Sequence, residues 1–186
     1  KNVNHAFDMP SGYNGHLGFG ANAQLSIGMY NWLTFGGYAG AIALLDRTYV
    51  VRLKTDIRQN GLIKLAKGCA NVERGAIWNG GAYGKMDHFV GGFSLLCGYS
   101  YSAQNRDRVS PVNGSMFDPE AANCDETLLG WGMHTIHLLA DYDFGIYQKR
   151  FSPRIGVFAN INVGGHRVFA TNVGGFSCGL DISFQC

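Results

Sequence analysis

LGFGANAQLSIGM, the stretch at residues 17–29, decides the fold class of this chain. Every odd-numbered position in it is apolar, and every even-numbered position is Gly, Asn, Gln or Ser. Successive side chains of a β-strand point to opposite faces of the sheet. The stretch therefore predicts a strand with one wholly apolar face and one polar face.

Six further segments repeat this alternation, at residues 33–45, 76–86, 89–102, 135–144, 153–163 and 176–184. The water-facing side of a soluble β-sandwich normally carries Lys, Glu and Thr, whereas the polar positions here are mostly Gly, Ser and Asn. The chain also has 27 Gly and only 15% charged residues. We therefore predict an all-β fold, an antiparallel transmembrane β-barrel. A soluble barrel of the lipocalin type is the alternative for the same alternation.

The connections between these segments alternate in length. Tight turns are predicted at residues 30–31 and 87–88, and long external loops at 46–74 and 103–130. Barrels of the outer membrane show this asymmetry. Seven strands are an odd number, so we expect residues 1–186 to be the C-terminal portion of a larger barrel of about 12–18 strands. The alternative is an eight-stranded barrel, with the eighth strand supplied by residues 49–58 or by the N-terminal stretch.

Composition excludes several other classes. With 15 basic and 13 acidic residues the formal charge is +2, which gives no reason to expect a nucleic-acid partner. The longest apolar run, Ala39 to Leu45, is far below the roughly 20 residues of a membrane-spanning helix. No cofactor or metal site is predicted, because the five cysteines lack CxxC or similar spacing.

Taken together, the alternating strands, the tight turns, the long loops and the closing segment GGFSCGLDISF resemble bacterial outer-membrane porins. The resemblance implies passive diffusion of small solutes or ions through a polar lumen, a location in the bacterial outer membrane, and a homotrimer. It also implies that Phe184 is the terminal aromatic read by the barrel-assembly machinery, although Gln185 and Cys186 follow it. The alternative function is a structural or adhesive surface barrel with a closed lumen, whose long loops bind partners.

Two sets of residues are the candidates for selectivity, which charged side chains and constricting loops set in a pore. Inward-facing, pore-lining positions are predicted for Lys85, His137, Asp141, Asp143, Arg154 and Asp181. The loop 46–74 has seven basic and three acidic residues, and as a constriction loop it would favour anions through Arg47, Arg52, Lys54, Arg58, Lys64 and Lys67. The loop 103–130 is acidic, so the two loops should attract one another.

Three further interpretations concern smaller groups of residues. Cys69 and Cys124 lie one in each long loop, which predicts a disulfide between them, whereas Cys97 and Cys178 lie on the apolar parity and are expected to be free. His137, Asp141 and Asp143 share a strand face that His134 does not, and no catalytic motif accompanies them, so we predict a pore wall and no enzyme. The pairs Gly36-Gly37, Gly80-Gly81, Gly91-Gly92 and Gly174-Gly175 are expected to relieve crowding in a curved sheet.

Overall fold

The computed structural model describes residues 15–61, 64–112, 117–146 and 151–182, without the side chains at positions 146, 151, 181 and 182. It is all-β, with 68% of the described residues in strands. The strands are β1 Gly18–Tyr30, β2 Leu33–Leu44, β3 Arg47–Arg52, β4 Lys67–Glu73, β5 Ile77–Val90, β6 Phe93–Gln104, β7 Arg108–Pro111, β8 Trp131–Asp143, β9 Phe151–His166 and β10 Val173–Ile182. One α-helix, α1, spans Pro119–Asn123, and two short 3₁₀ turns lie at Glu126–Leu128 and Phe144–Ile146.

The ten strands form two antiparallel sheets. The large sheet has seven strands in the order β1-β2-β5-β6-β8-β9-β10, and these are the seven segments predicted from the alternation. Consecutive strands of this sheet are neighbours, as in a meander. Strands β1 and β10 are its two edges, and the part of the chain described here does not pair them with each other.

The small sheet has the order β3-β4-β7 and is built from the two long connections. Tyr49 lies opposite Ala70, and Val72 lies opposite Val109. Residues 49–58 therefore do not supply an eighth strand to the large sheet, because β3 pairs with β4 instead. The opposite charges of the two connections do form ion pairs: Lys64 with Asp125, and Arg74 with Asp107 at 2.5 Å.

The contacts divide the chain into two compact units. The first comprises residues 1–21, 41–78 and 103–131, and the second comprises residues 22–40, 79–102 and 132–186. A hydrophobic core lies in the first unit, where one face of the small sheet packs against the segment that contains α1. Its buried residues are Leu53, Ala70, Val72, Val109, Phe117 and Ala122.

One of the two predicted turns is corrected by the structure. Strand β5 continues through Asp87 and His88 to Val90, and the turn is formed by Gly91 and Gly92. Both glycines have positive φ, 52° and 92°, and a tight turn of type I′ requires this at both central positions. Gly91-Gly92 thus forms a turn instead of relieving crowding. The other turn occupies residues 31–32, one residue later than predicted.

Candidate functional site

The second unit lacks the kind of core that the first unit has. Of the apolar side chains that are buried in the described parts of the chain, every one belongs to the first unit. Many large apolar side chains of the second unit are instead exposed. The exposed fraction is 36% to 90% at Leu25, Ile27, Met29, Phe35, Leu138, Ile155, Val157, Ile161, Phe176 and Leu180. Isolated soluble proteins rarely expose so many apolar side chains on contiguous strands.

These exposed side chains share one face of the sheet, which we call the apolar face. Strand register shows this, because Leu138 lies opposite Ala159 and Val157 lies opposite Phe176. The apolar positions of the described strands in this unit include no Asp, Glu, Lys or Arg. An open groove of about 500 Å³ on this face is lined mainly by Phe93, Tyr142, Ile155, Val157 and Phe176.

Aromatic rings gather toward both ends of the apolar face. At the end with the tight turns, Tyr30 stacks on Trp32, Trp32 contacts Phe89, and Phe89 contacts Phe93, with ring centroids 5.5–6.5 Å apart. Tyr142 and Phe144 contact each other at the same end, with centroids 4.7 Å apart.

A second group of rings lies toward the opposite strand ends. The hydroxyl of Tyr99 is 2.5 Å from Nδ1 of His134, and the ring of Tyr101 packs against the same imidazole with centroids 4.7 Å apart. Tyr99 and Tyr101 are exposed by 44% and 37%. Rings with one apolar surface and one polar atom suit a boundary between an apolar layer and water.

The opposite face of the sheet is polar, and we call it the polar face. Strands β5, β6 and β8 contribute to it side by side. A Cβ added to Gly98 of β6 would lie 3.4 Å from Cβ of Tyr83 in β5 and 3.7 Å from Cβ of His137 in β8. One ring nitrogen of His137, Nε2, lies 2.7 Å from the Ser100 hydroxyl, and the other, Nδ1, lies 2.8 Å from Oδ1 of Asn160. The row Ser100–His137–Asn160 ties β6, β8 and β9 together.

Of the predicted pore-lining residues, His137, Asp141, Asp143 and Arg154 lie on this face. Arg154 is directly opposite Asp143 and donates to its carboxylate at 3.2 Å, and its Nε is 3.8 Å from Asp141. Asp141 packs beside Gly156 on the same face. The charges are therefore paired across neighbouring strands.

Lys85 is on the same parity of β5 as Tyr83 and donates a 2.8 Å hydrogen bond to Asp87. Asp87 also accepts from Ser94, and His88 reaches both Asp87 at 3.1 Å and Asp143 at 3.4 Å. Sequence analysis missed this link between strands, because it placed a turn at Asp87 and His88. For Asp181, the structure gives only the backbone position opposite Ser152.

Bulky rings on the polar face lie against glycines of the neighbouring strand. A Cβ at Gly36 would be 2.5 Å from the hydroxyl of Tyr83, and one at Gly81 would be 2.9 Å from the ring of Tyr38. The Tyr83 hydroxyl also accepts a 3.2 Å hydrogen bond from Gln24. The prediction that paired glycines relieve crowding is confirmed at these positions, where only a missing side chain leaves room for the ring.

The predicted constriction residues do not form one cluster. Lys54 is 5% exposed, with Nζ 3.4 Å from the Ile57 carbonyl and 3.5 Å from that of Cys124. Arg52 and Arg47 donate to the carbonyls of Lys64 and Gly15, at 2.9 Å and 2.7 Å. The remaining cations are Arg58 and Lys67, both exposed, and Lys64, which is paired with Asp125.

Asp125 is the acidic partner in this group. Burial by itself would raise its pKa, but hydrogen bonds from Lys64 and from the backbone and side chain of Thr127 outweigh burial and hold the pKa below its usual value. The carboxylate therefore stays ionised and fixes Lys64 in the first unit.

Cys69 and Cys124 are free and exposed thiols, so the predicted disulfide between them is not formed in this structure. The reason is the alternation of β4: Ala70 and Val72 face the core that includes Ala122 of α1, and Cys69 points to the other side of the sheet. Cys97 and Cys178 are free, as predicted. Phe184 and Cys186 lie outside the described residues.

The described residues contain neither a membrane-spanning helix nor a metal-binding cluster. The helices in them are too short and too polar to cross a membrane. They also contain no group of three or more His, Cys, Asp or Glu placed to hold a metal ion. Comparison with family models, with curated proteins and with solved structures finds no match to this chain.

Proposed function

We propose that the seven-stranded sheet is part of the wall of an outer-membrane β-barrel, and that the barrel is a porin-like channel for passive diffusion of small solutes or ions. The carrying observation is the exposed apolar face in a unit whose described residues bury no apolar core. Lipid acyl chains are the covering that suits this face, because its described positions include no Asp, Glu, Lys or Arg, and aromatic rings lie toward both of its ends.

The proposed barrel needs further strands to close. Unpaired backbone groups at a sheet edge cannot face lipid, so β1 and β10 must each have a pairing partner in a bilayer. In an antiparallel sheet of seven strands the first and last run in the same direction. An antiparallel closed barrel therefore needs an odd number of further strands between β10 and β1, in agreement with a larger barrel of about 12–18 strands.

The polar face is the proposed wall of the channel. Its described charged side chains are three carboxylates, Asp87, Asp141 and Asp143, against Lys85 and Arg154. We therefore expect a weak preference for cations along this part of the wall, because the sign of lining charges sets ion preference. Anion preference is expected only if the basic residues of segment 46–74 line the solute path.

Single-channel conductance of the detergent-purified protein in a planar bilayer tests the proposal, with a salt gradient to report ion preference. Stable open steps are expected, with a reversal potential of the sign that indicates cation preference. Protein that is verified as folded and inserted but gives no steps would refute the channel. A folded protein that stays in solution without detergent would refute the membrane barrel as well.

A second candidate is a structural or adhesive surface barrel with a closed lumen. The observation that favours it is the small sheet, in which the two long connections form a compact unit with its own core. Such a unit can present a fixed surface to a partner. Insertion without conductance would support this candidate. A homotrimer and recognition of Phe184 by the assembly machinery belong to the same proposal, and mass measurement in detergent checks the trimer.

A further inference from the structure

The small sheet has one face that no described element covers. Its other face packs on the core through Ala70, Val72 and Val109. Burial alternates accordingly along β3, β4 and β7. The uncovered side, which we call the basic face, consists of Thr48, Val50, Arg52, Lys67, Cys69, Asn71, Glu73, Arg108 and Ser110.

Charge on this face is strongly one-sided. Arg52 lies opposite Lys67, and Arg108 lies opposite Glu73, so the face has three cations and one carboxylate. Arg106 adds a fourth cation beside β7, where its guanidinium donates to the carbonyl of Asn123. Neither Lys67 nor Arg108 makes an ion pair with the described residues. The Arg52–Lys67 pair and the Glu73–Arg108 pair lie at opposite ends of β4, six residues apart, which is about 20 Å along a strand.

A cleft of about 370 Å³ opens where β7 forms the edge of the sheet. It is lined by Glu73, Arg106, Arg108, Ser110 and Asn123 together with Val109. Glu73 is the one carboxylate of the lining, so Arg106 and Arg108 leave the cleft with a net positive charge. Asp107 is paired with Arg74 and Asp125 with Lys64. The amide of Asn123 is bonded to the backbone of Val109 and Pro119. Two arginines beside the Ser110 hydroxyl form a site for a sulfate or phosphate group.

We propose that the basic face binds an extended anionic polysaccharide, with one of its sulfate or phosphate groups in the cleft at Arg106 and Arg108. Thr48, Asn71 and Ser110 form a row across the three strands and offer hydrogen bonds to sugar hydroxyls. This inference names a partner for the second candidate function. It does not depend on whether the large sheet conducts ions.

The same face is poorly suited to other polyanions or to proteins. Single-stranded nucleic acid is bound through aromatic side chains on which the bases stack, and the basic face has none, since Tyr49 faces the core. A protein partner needs apolar or aromatic anchors. Apart from Cys69, Val50 is the one apolar side chain on this face among the described residues, with 63% exposure.

The test is binding of the full-length protein in detergent to dextran sulfate, with neutral dextran as the reference ligand. Replacing Arg106 and Arg108 by Ala should weaken binding about tenfold or more, because both charge-assisted hydrogen-bond donors to the bound anion are lost. Arg58→Ala is the matched control, since Arg58 is exposed in the same unit but lies off the basic face. Affinity should fall steeply with salt in the wild type.

Glu73→Gln gives the result that misfolding cannot imitate, because removal of the carboxylate should strengthen binding by a fewfold. The inference is overturned if Arg58→Ala weakens binding as much as the double variant, or if Glu73→Gln weakens it. Tighter binding of oligo-dT than of dextran sulfate would assign the face to nucleic acid. Concentration-dependent self-association that is lost in the double variant would assign it to a second copy of the chain. Absence of conductance in the planar bilayer would count against the proposed channel and not against this inference.

Discussion

Leu138 and Leu139 offer a direct test of the face assigned to lipid in the proposed barrel. They are adjacent in β8, and their exposures are nearly equal, 38% and 36%. Leu138 lies opposite Ala159 on the apolar face. Leu139 lies opposite Phe158 on the polar face, between His137 and Asp141. Replacing each by Arg therefore introduces the same charge at one depth on opposite faces.

The depth of Leu138 sets the expected magnitude. It is midway between His134 and Tyr142, four residues from each of the two ring groups. At about 3.3 Å per residue and a tilt of about 45°, each group is about 9 Å away in height, so Leu138 lies near the centre of the apolar layer. An Arg at the bilayer midplane costs about 2–4 kcal/mol of barrel stability. This corresponds to a loss of about 30-fold to 1,000-fold in the folding equilibrium.

Leu139→Arg should cost about 1 kcal/mol or less, because on the polar face the guanidinium can reach water and the neighbouring Asp141. The assay is reversible denaturation of the protein in lipid vesicles, followed by the fluorescence of its three tryptophans. Equal losses for the two variants, or a larger loss for Leu139→Arg, would refute the assignment of the faces. So would two-state unfolding of wild-type protein in buffer without detergent or lipid.

Three further predictions concern the core, the polar face and acid stability. Gly68→Ala should destabilise the first unit by about 1–3 kcal/mol in denaturant unfolding, because the added Cβ would lie 2.5 Å from the Phe117 ring. Gly28→Ala is the control, because a Cβ at Gly28 would have no other atom within 4 Å. Arg154→Gln should shift the reversal potential toward stronger cation preference, since two carboxylates lose their cation; a shift toward anions would contradict it. Asp125 has a lowered pKa in the folded protein, so the stability it contributes is complete above the unfolded-state pKa of about 3.9 and is lost as pH falls through the folded-state pKa. In Asp125→Asn the melting temperature should therefore fall less steeply at acidic pH than in the wild type, and an unchanged pH dependence would refute this.

The strands and their faces could be predicted from sequence because alternation is a local property. Residues 17–29 alternate without exception, and β1 spans Gly18–Tyr30. The contacts on the polar face could not be predicted in the same way. His137 was assigned to this face, but its partners Ser100 and Asn160 are 37 and 23 residues away. Only the register of three strands brings them together, and parity does not fix register.

The displaced turn has a different physical reason. Asp87 and His88 are polar residues common in turns, yet His88 has a φ of 49° inside β5 and the chain reverses at the two glycines that follow. The small sheet was missed because its third strand, β7, has only four residues and pairs across a long sequence separation. Alternation in residues 49–58 was visible, but nothing local indicated the partner strand.

Alternation predicts a strand and its two faces, but it does not predict what covers the apolar one. Strand β4 alternates and buries Ala70 and Val72, whereas β9 alternates and leaves Ile155 and Val157 exposed by 53% and 48%. The difference is visible on the polar parity. Strand β4 carries Lys67 and Glu73 there, as a water-facing strand does, whereas the longer β9 carries Arg154 as its one charged residue, beside Gly and Asn. Small uncharged residues opposite an apolar face are therefore the stronger indication of lipid, because a strand packed on a protein core has its other side in bulk water.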